Sequence, residues 1–126
     1  MTDDRDRLFA LRGAVQPQLN EAQSILGATE ELMHELMGRN GLEPERIVSC
    51  IFTCTDDLDA EFPAVAARTL GLDSVPLLCT REIAVPGSMP RVIRAMVHYY
   101  ATADHDPQHV YLGATQALRS DLHSAQ

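Results

Sequence analysis

A few side chains in this sequence have the types that could do chemistry together: Arg12, Arg94, the string Cys79-Thr80-Arg81-Glu82, and Tyr111. All ten basic residues are Arg and none is Lys, so any cationic site must be built from guanidinium groups. Such a group can grip a carboxylate through two parallel hydrogen bonds, which an ammonium cannot do. Host base composition accounts for the arginine bias as readily as function does, but the chemical consequence is the same. Taken singly, each candidate also has a plain structural reading. A strand Arg is most often a surface charge, and Cys79 a small apolar filler. Glu82 would pass as a loop carboxylate, and Tyr111 as a half-buried aromatic whose hydroxyl meets water.

Several kinds of chemistry lack their signatures. The seven glycines are scattered, with no Gly-x-Gly-x-x-Gly or Gly-x-x-x-x-Gly-Lys string to cradle phosphate. Neither a Gly-x-Ser-x-Gly elbow nor a His-Glu-x-x-His pair is present. Cys50 and Cys54 stand four apart without a second ligand pair at zinc spacing, and Asp56-Asp57 has no further ligand in view and reads as a solvated connection. No structural zinc site is therefore expected, and nucleotide binding has no support. Three cysteines make an odd number, which argues for free thiols rather than a disulfide framework. The net charge of −8 disfavours nucleic acid and anionic membranes as partners, since both are held by clustered positive charge. The longest apolar runs, such as Ile47-Val48-Ser49-Cys50-Ile51-Phe52, fall far short of the ~20 residues that span a bilayer. The mixed charges of Asp3, Asp4, Arg5, Asp6 and Arg7, with no long apolar run behind them, do not resemble a secretory signal. A cytoplasmic protein is expected.

The elements that must position these residues can be read in outline. With 126 residues, 45% hydrophobic and 22% charged, the chain suits one domain over residues 1–126, with 1–7 and 123–126 as frayed ends. Leu8 to Val15 reads as a strand, placing Arg12 near its end. From Asn20, a plausible cap, Ile25, Leu26, Leu32, Met33, Leu36 and Met37 recur at helical spacing until Asn40-Gly41 stops the helix. His34 lies beside that stripe. Ile47 to Thr55 is apolar enough for a strand buried on both faces. Phe62 to Leu70 gives a short helix with Pro63 in its first turn and Gly71 at its end. Val75 to Thr80 is a third strand. Arg91 to Tyr100 tolerates a helix by composition, but its alternation favours a strand. His109 to Leu112 is a last strand, and Ala114 to Leu118 a helical turn. The fold class expected is α+β, a mixed β-sheet with both helices on one face. The doubly buried second strand then implies that another copy of the chain covers the open face.

In their order and separations, five dispersed strings resemble those of AroH-type chorismate mutases: Leu11-Arg12-Gly13-Ala14, Phe62-Pro63-Ala64 with Arg68, Cys79-Thr80-Arg81-Glu82, Val92-Ile93-Arg94, and His109-Val110-Tyr111-Leu112 with Leu118-Arg119. The resemblance spans roughly Leu8 to Leu122. It implies a Bacillus chorismate mutase-like fold, assembled as a homotrimeric pseudo α/β barrel with sites between subunits. It also implies rearrangement of chorismate to prephenate without cofactor or metal. On this resemblance Arg94 faces the ether oxygen of the breaking bond with Tyr111 beside it, and Arg12 holds a substrate carboxylate. Cys79 and Glu82 lie against the ring and its hydroxyl. Phe62, Ala64 and Leu77 line the pocket, and Arg68, Leu118 and Arg119 close its mouth. The chain departs from many such enzymes at Val65, where they carry Lys, at Leu78, where they carry Thr, and at Gly113-Ala114, where they carry a more charged pair.

The implied reaction suits the residues. An intramolecular [3,3] rearrangement needs no nucleophile, proton relay or electron carrier. It needs clamps that hold a flexible dianion in its compact reactive form, and fixed positive charge where negative charge grows. Three other readings compete. An imine or enamine deaminase shares the trimeric architecture, but usually has an acidic residue where this chain has Ala117-Leu118-Arg119-Ser120. A binding module without turnover would keep the pocket, and Val65 is its one support. A mutase acting on an amino analogue of chorismate would use the same residues.

Overall fold

The computed structural model describes residues 5–118. Strand β1, Asp6–Val15, is followed by helix α1, Ala22–Asn40, and then by β2, Ile47–Cys54. A short helix α2, Ala64–Ala67, leads to β3, Leu77–Arg81. Then come β4, Ile93–Thr102, β5, Val110–Tyr111, and a 3-10 turn, Gly113–Gln116. The strands form one mixed sheet in the order β3-β2-β4-β1-β5. β4 runs antiparallel to both β1 and β2, while β3 is parallel to β2 and β5 to β1. The α+β class and the mixed sheet with two helices on one face are as expected.

The helical stripe explains the core. Ile25, Thr29, Leu32, Met33 and Leu36 are the buried residues of α1 and fall on one face of a 3.6-residue repeat. They pack on Leu11, Val15, Ile93, Ala95 and Val97 of the sheet, while Ala64 and Ala67 of α2 join the same core. Gly41 stops α1 at φ 60°, a left-handed position that glycine takes without penalty, and the Leu42 N–H caps the Met37 carbonyl at 2.9 Å. At the far end of the sheet burial pushes the Tyr99 hydroxyl up to about 12, and that hydroxyl lies 2.7 Å from His105 Nε2.

Four local expectations change. Arg5–Arg7 are not frayed: Asp6 and Arg7 pair with Thr102 and Ala101, and Asp6 accepts a 2.6 Å hydrogen bond from Arg46. Asn20 is not the cap of α1, because Glu21 holds that position without a side-chain bond. Asn20 instead accepts from the N–H groups of Asp59 and Ala60 and donates to Asp59, pinning the loop before α2. The second helix is shorter than Phe62 to Leu70, since its turns widen over Arg68–Leu72 and leave helical geometry at Leu70 and Gly71. The third and fourth strands begin and end one or two residues later than their apolar content suggested. Position 91 is excluded from β4 because Arg91 adopts φ 49°, outside the extended region.

The burial of β2 follows the split expected of a sheet with one open face. Ile47, Cys50, Phe52 and Cys54 face the core, whereas Ser49, Ile51 and Thr53 are only half-buried. Ile47 and Cys50 share a face despite their odd spacing because the register slips at Val48, as one extra residue in a strand allows. Within one chain, therefore, β2 is buried on one side only. The opposite side of the sheet carries Leu8, Tyr100 and Leu78, which are 50%, 44% and 59% exposed. Among the described residues it is covered only at one end, where Ala14, Val92 and Tyr111 form a small second cluster with Met89 and Leu118.

Candidate active site

That partly covered face is where the arginines meet. In the β1–β4 ladder Arg12 pairs with Met96 and Ala14 with Arg94, so Arg12 and Arg94 are diagonal neighbours on one face, a spacing long side chains can bridge. Thr53 of β2 sits opposite Arg94 on its other side. Tyr111 arrives from β5, which pairs with Ala14. The end of β5 is held by the 3-10 turn, where the buried Thr115 hydroxyl reaches the carbonyl oxygens of Ala14 and Leu112. Beyond β3 the Glu82 N–H donates to the Cys54 carbonyl at 2.9 Å, bringing its carboxylate to the same end. Arg12, Gly13, Ile51, Thr53, Glu82, Arg94, Ala95, Met96 and Tyr111 enclose a cavity of about 240 Å³.

Inside it, Arg94 Nε lies 3.5 Å from Glu82 Oε1. This is an ion pair but not an aligned hydrogen bond, and among the described residues Arg94 Nε is buried without a hydrogen-bond partner. A buried donor left unmatched is costly, so its presence here marks a place made for an acceptor. Glu82 is also tied from the other side, because the Thr53 hydroxyl donates to Glu82 Oε2.

An adjoining cavity of about 650 Å³ shares Glu82 and Arg94 and adds Leu118, Met89, Val92 and the turn through Val85, Gly87 and Ser88. Past this turn the chain is held at Arg91 by Asp57, a residue whose sequence context reads as a solvated loop. Both carboxylate oxygens of Asp57 accept from the Arg91 N–H, at 3.1 and 2.9 Å, and Thr55 Oγ1 donates to it at 2.5 Å. Loss of hydration works against ionisation of this carboxyl, but the hydrogen bonds from Thr55 and Arg91 outweigh it and hold Asp57 below the usual carboxylate range. The left-handed Arg91 backbone is stabilised by this grip, and its side chain reaches the Pro17 carbonyl at 3.2 Å.

The remaining sequence candidates lie elsewhere in the chain. Cys79 pairs with Phe52, and Leu77 with Cys50, which puts both on the helix side of the sheet. Cys79 and Phe62 line a separate cavity of about 450 Å³ with Leu58, Pro63 and Arg81. Phe62 is 66% exposed, Ala64 is buried, and Arg68 is exposed. Arg119 lies outside the described residues. Burial raises the thiols of Cys50 to about 12 and Cys54 to about 11, so both remain protonated at neutral pH. No disulfide joins the cysteines, and among the described residues no group of three or more His, Cys, Asp or Glu is placed to hold a metal. Among those residues no helix is long and apolar enough to cross a membrane.

Thus Arg12, Glu82, Arg94, Tyr111 and Leu118 come together, whereas Phe62, Ala64, Arg68, Leu77 and Cys79 do not join them within one chain. Thr53, Ile51 and Met96 were missed; Thr53 lies opposite Arg94, Met96 opposite Arg12 and Ile51 opposite Met96, positions that only the strand register reveals.

The family model for chorismate mutase type I matches residues 8–122. The chain is 43% identical over 118 residues to the chorismate mutase AroH of Thermus thermophilus, covering 92% of this chain and 97% of that protein. It is 35% identical over 114 residues to the chorismate mutase AroH of Bacillus subtilis strain 168, covering 89% and 90%. A solved chorismate mutase structure from Clostridium thermocellum superposes with a TM-score of 0.82 at 45% identity, covering 86% of this chain and 98% of the other.

Proposed function

The chain belongs to the chorismate mutase type I family, and from that membership we propose how its own residues perform the reaction. It is an isomerase that converts chorismate to prephenate, the step leading towards phenylalanine and tyrosine. In this rearrangement the ether C–O bond breaks as a C–C bond forms within one molecule, so the site must fold the substrate and follow its shifting charge. Arg12 clamps a carboxylate, which converts a floppy dianion into a near-attack conformer. Arg94 donates to the ether oxygen as that oxygen gains negative charge, an interaction stronger in the transition state than in the ground state. Glu82 complements the positive character left on the ring, and Tyr111 flanks Arg94. The observation that carries this reading is the buried Arg94 Nε, ion-paired with Glu82 but without a hydrogen-bond partner among the described residues, in a cavity shared with Arg12, Glu82 and Tyr111.

The second half of the site comes from a neighbouring copy. The Phe62–Cys79 cavity and the Arg12–Arg94 cavity are lined by different residues, and the sheet face bearing the arginines leaves Leu8, Leu78 and Tyr100 exposed. A homotrimer in which one subunit's Phe62, Ala64, Arg68, Leu77 and Cys79 face the next subunit's Arg12, Glu82, Arg94, Tyr111 and Leu118 accounts for both. Light scattering at micromolar concentration is expected to give three chain masses. A monomer with full chorismate turnover would refute the shared site. The free thiols suit a reducing cytoplasm.

In this mechanism Cys79 contributes shape and a weak hydrogen bond, not a nucleophile. Cys79→Ser, which keeps size and a donor, is expected to retain most of kcat when loss of the chorismate diene absorbance is followed. A serine variant folded by circular dichroism but wholly inactive would require covalent chemistry instead.

A further inference from the structure

We propose that Thr53 is a positioning residue for the rearrangement: by holding one oxygen of Glu82, it prevents that carboxylate from closing onto Arg94 and so keeps the Arg94 Nε donor free for substrate. The inference rests on the site reading above and adds a residue to it.

Thr53, Glu82 and Arg94 make a chain of contacts across three consecutive strand positions of the sheet. Thr53 and Arg94 are register partners on β2 and β4, and Thr53 is also the register partner of Thr80 on β3, two residues before Glu82. The Glu82 backbone is fixed by its N–H bond to Cys54, which leaves the carboxylate free to turn about its side-chain torsions. An unrestrained carboxylate beside a guanidinium tends to form the two-pronged pair, because aligned charge-assisted hydrogen bonds are the strong ones. Here that does not happen. The Thr53 hydroxyl takes Oε2, Oε1 stays 3.5 Å from Nε, and Nε has no hydrogen-bond partner.

The arrangement separates two effects of Glu82. Its charge remains close enough to orient the guanidinium and to complement the ring, while the N–H that meets the ether oxygen is not consumed. Threonine suits the task because branching at Cβ restricts χ1, so the hydroxyl has few directions to point on a strand. Loss of the tether would let Glu82 pair fully with Arg94, and substrate would then have to displace it as the bond breaks. The penalty falls on the transition state rather than on binding, since Arg12 still holds the substrate.

Thr53→Val keeps the shape and β-branching and removes only the hydroxyl. In the full-length enzyme it is expected to lower kcat about tenfold, the scale of one hydrogen bond to a charged group, with KM changed less than about threefold. Thr53→Ser, which restores the donor, is expected to recover at least about half of the wild-type kcat. In a Glu82→Ala background, Thr53→Val is expected to cost less than about twofold, since there is no carboxylate left to hold. A wild-type kcat in Thr53→Val, an equal loss in Thr53→Ser, or a full tenfold loss without Glu82 would each overturn the tether while leaving the site assignment intact. Wild-type turnover in Glu82→Ala alone would bring down the assignment and the tether together.

Discussion

Arg94→Ala is expected to lower kcat for chorismate by at least about 100-fold, the loss seen when one donor aimed at developing charge is removed, or about 2.7–4 kcal/mol. Arg94 is set apart from the other arginines by its surroundings. Its neighbours in the sheet, Thr53 and Ala14, are both short, its Nε is buried without a hydrogen bond among the described residues, and the Glu82 carboxylate is held 3.5 Å away. Arg81, by contrast, donates to the carbonyls of Thr55 and Leu58, and Arg46 to Asp6; their donors serve the fold. Arg94→Lys is expected to restore only part of the lost rate, because a flexible ammonium cannot reproduce a positioned guanidinium N–H. Steady-state kinetics on both variants checks this, and near-wild-type kcat in the alanine variant would remove Arg94 from the chemistry.

Much of this site was legible in the sequence because its members come from strand ends with local signals. The alternation through Arg94, Met96 and His98 already distinguished a strand from a helix, and β4 bears it out. The five strings supplied Arg12, Glu82, Arg94 and Tyr111. Pairing was not legible, and pairing decides which residues share a cavity. Thr53 looks like any β-former until the register places it opposite Arg94, and that register depends on the slip at Val48. Asp57 looks like a loop carboxylate until Arg91, 34 positions away, turns its N–H towards it. The string Cys79 to Glu82 contains its own warning. Positions three apart on an extended chain point to opposite sides, which is why Cys79 faces the helices while Glu82 reaches the arginines. Apolar content likewise marked β2 for burial on both faces, and with both helices on one side of the sheet the second face was left to another copy of the chain.

Gly13→Ala is expected to be the most damaging single-methyl change to the fold. Gly13 is a β1 residue next to Arg12, on the side of the sheet that faces α1. A Cβ there would lie 2.8 Å from the Val110 carbonyl oxygen, 2.9 Å from Leu32 Cδ1 and 3.2 Å from Leu36 Cδ1. The leucine methyls can give way by changing rotamer, but the carbonyl belongs to the β1–β5 ladder, where Gly13 pairs with Val110. β5 contributes only two residues to that ladder, so it is the element that yields. The substitution is therefore expected to cost about 2–3 kcal/mol, at the upper end of the usual penalty for overpacking, and to lower Tm by roughly 10 °C. It also reaches the chemistry, because β5 carries Tyr111 and its pairing with Ala14 sets one wall of the cavity; kcat is expected to fall severalfold even where the protein remains folded. Adding Gly13→Ala to a Leu32→Ala background separates the two clashes, because Leu32 is a buried core residue whose own loss must be subtracted. If the backbone contact dominates, Gly13→Ala lowers Tm and kcat as much in that background as in the wild type. Loss of the effect there would assign the glycine to helix packing alone, and an unchanged Tm in the single variant would show that β5 is not held where the ladder places it.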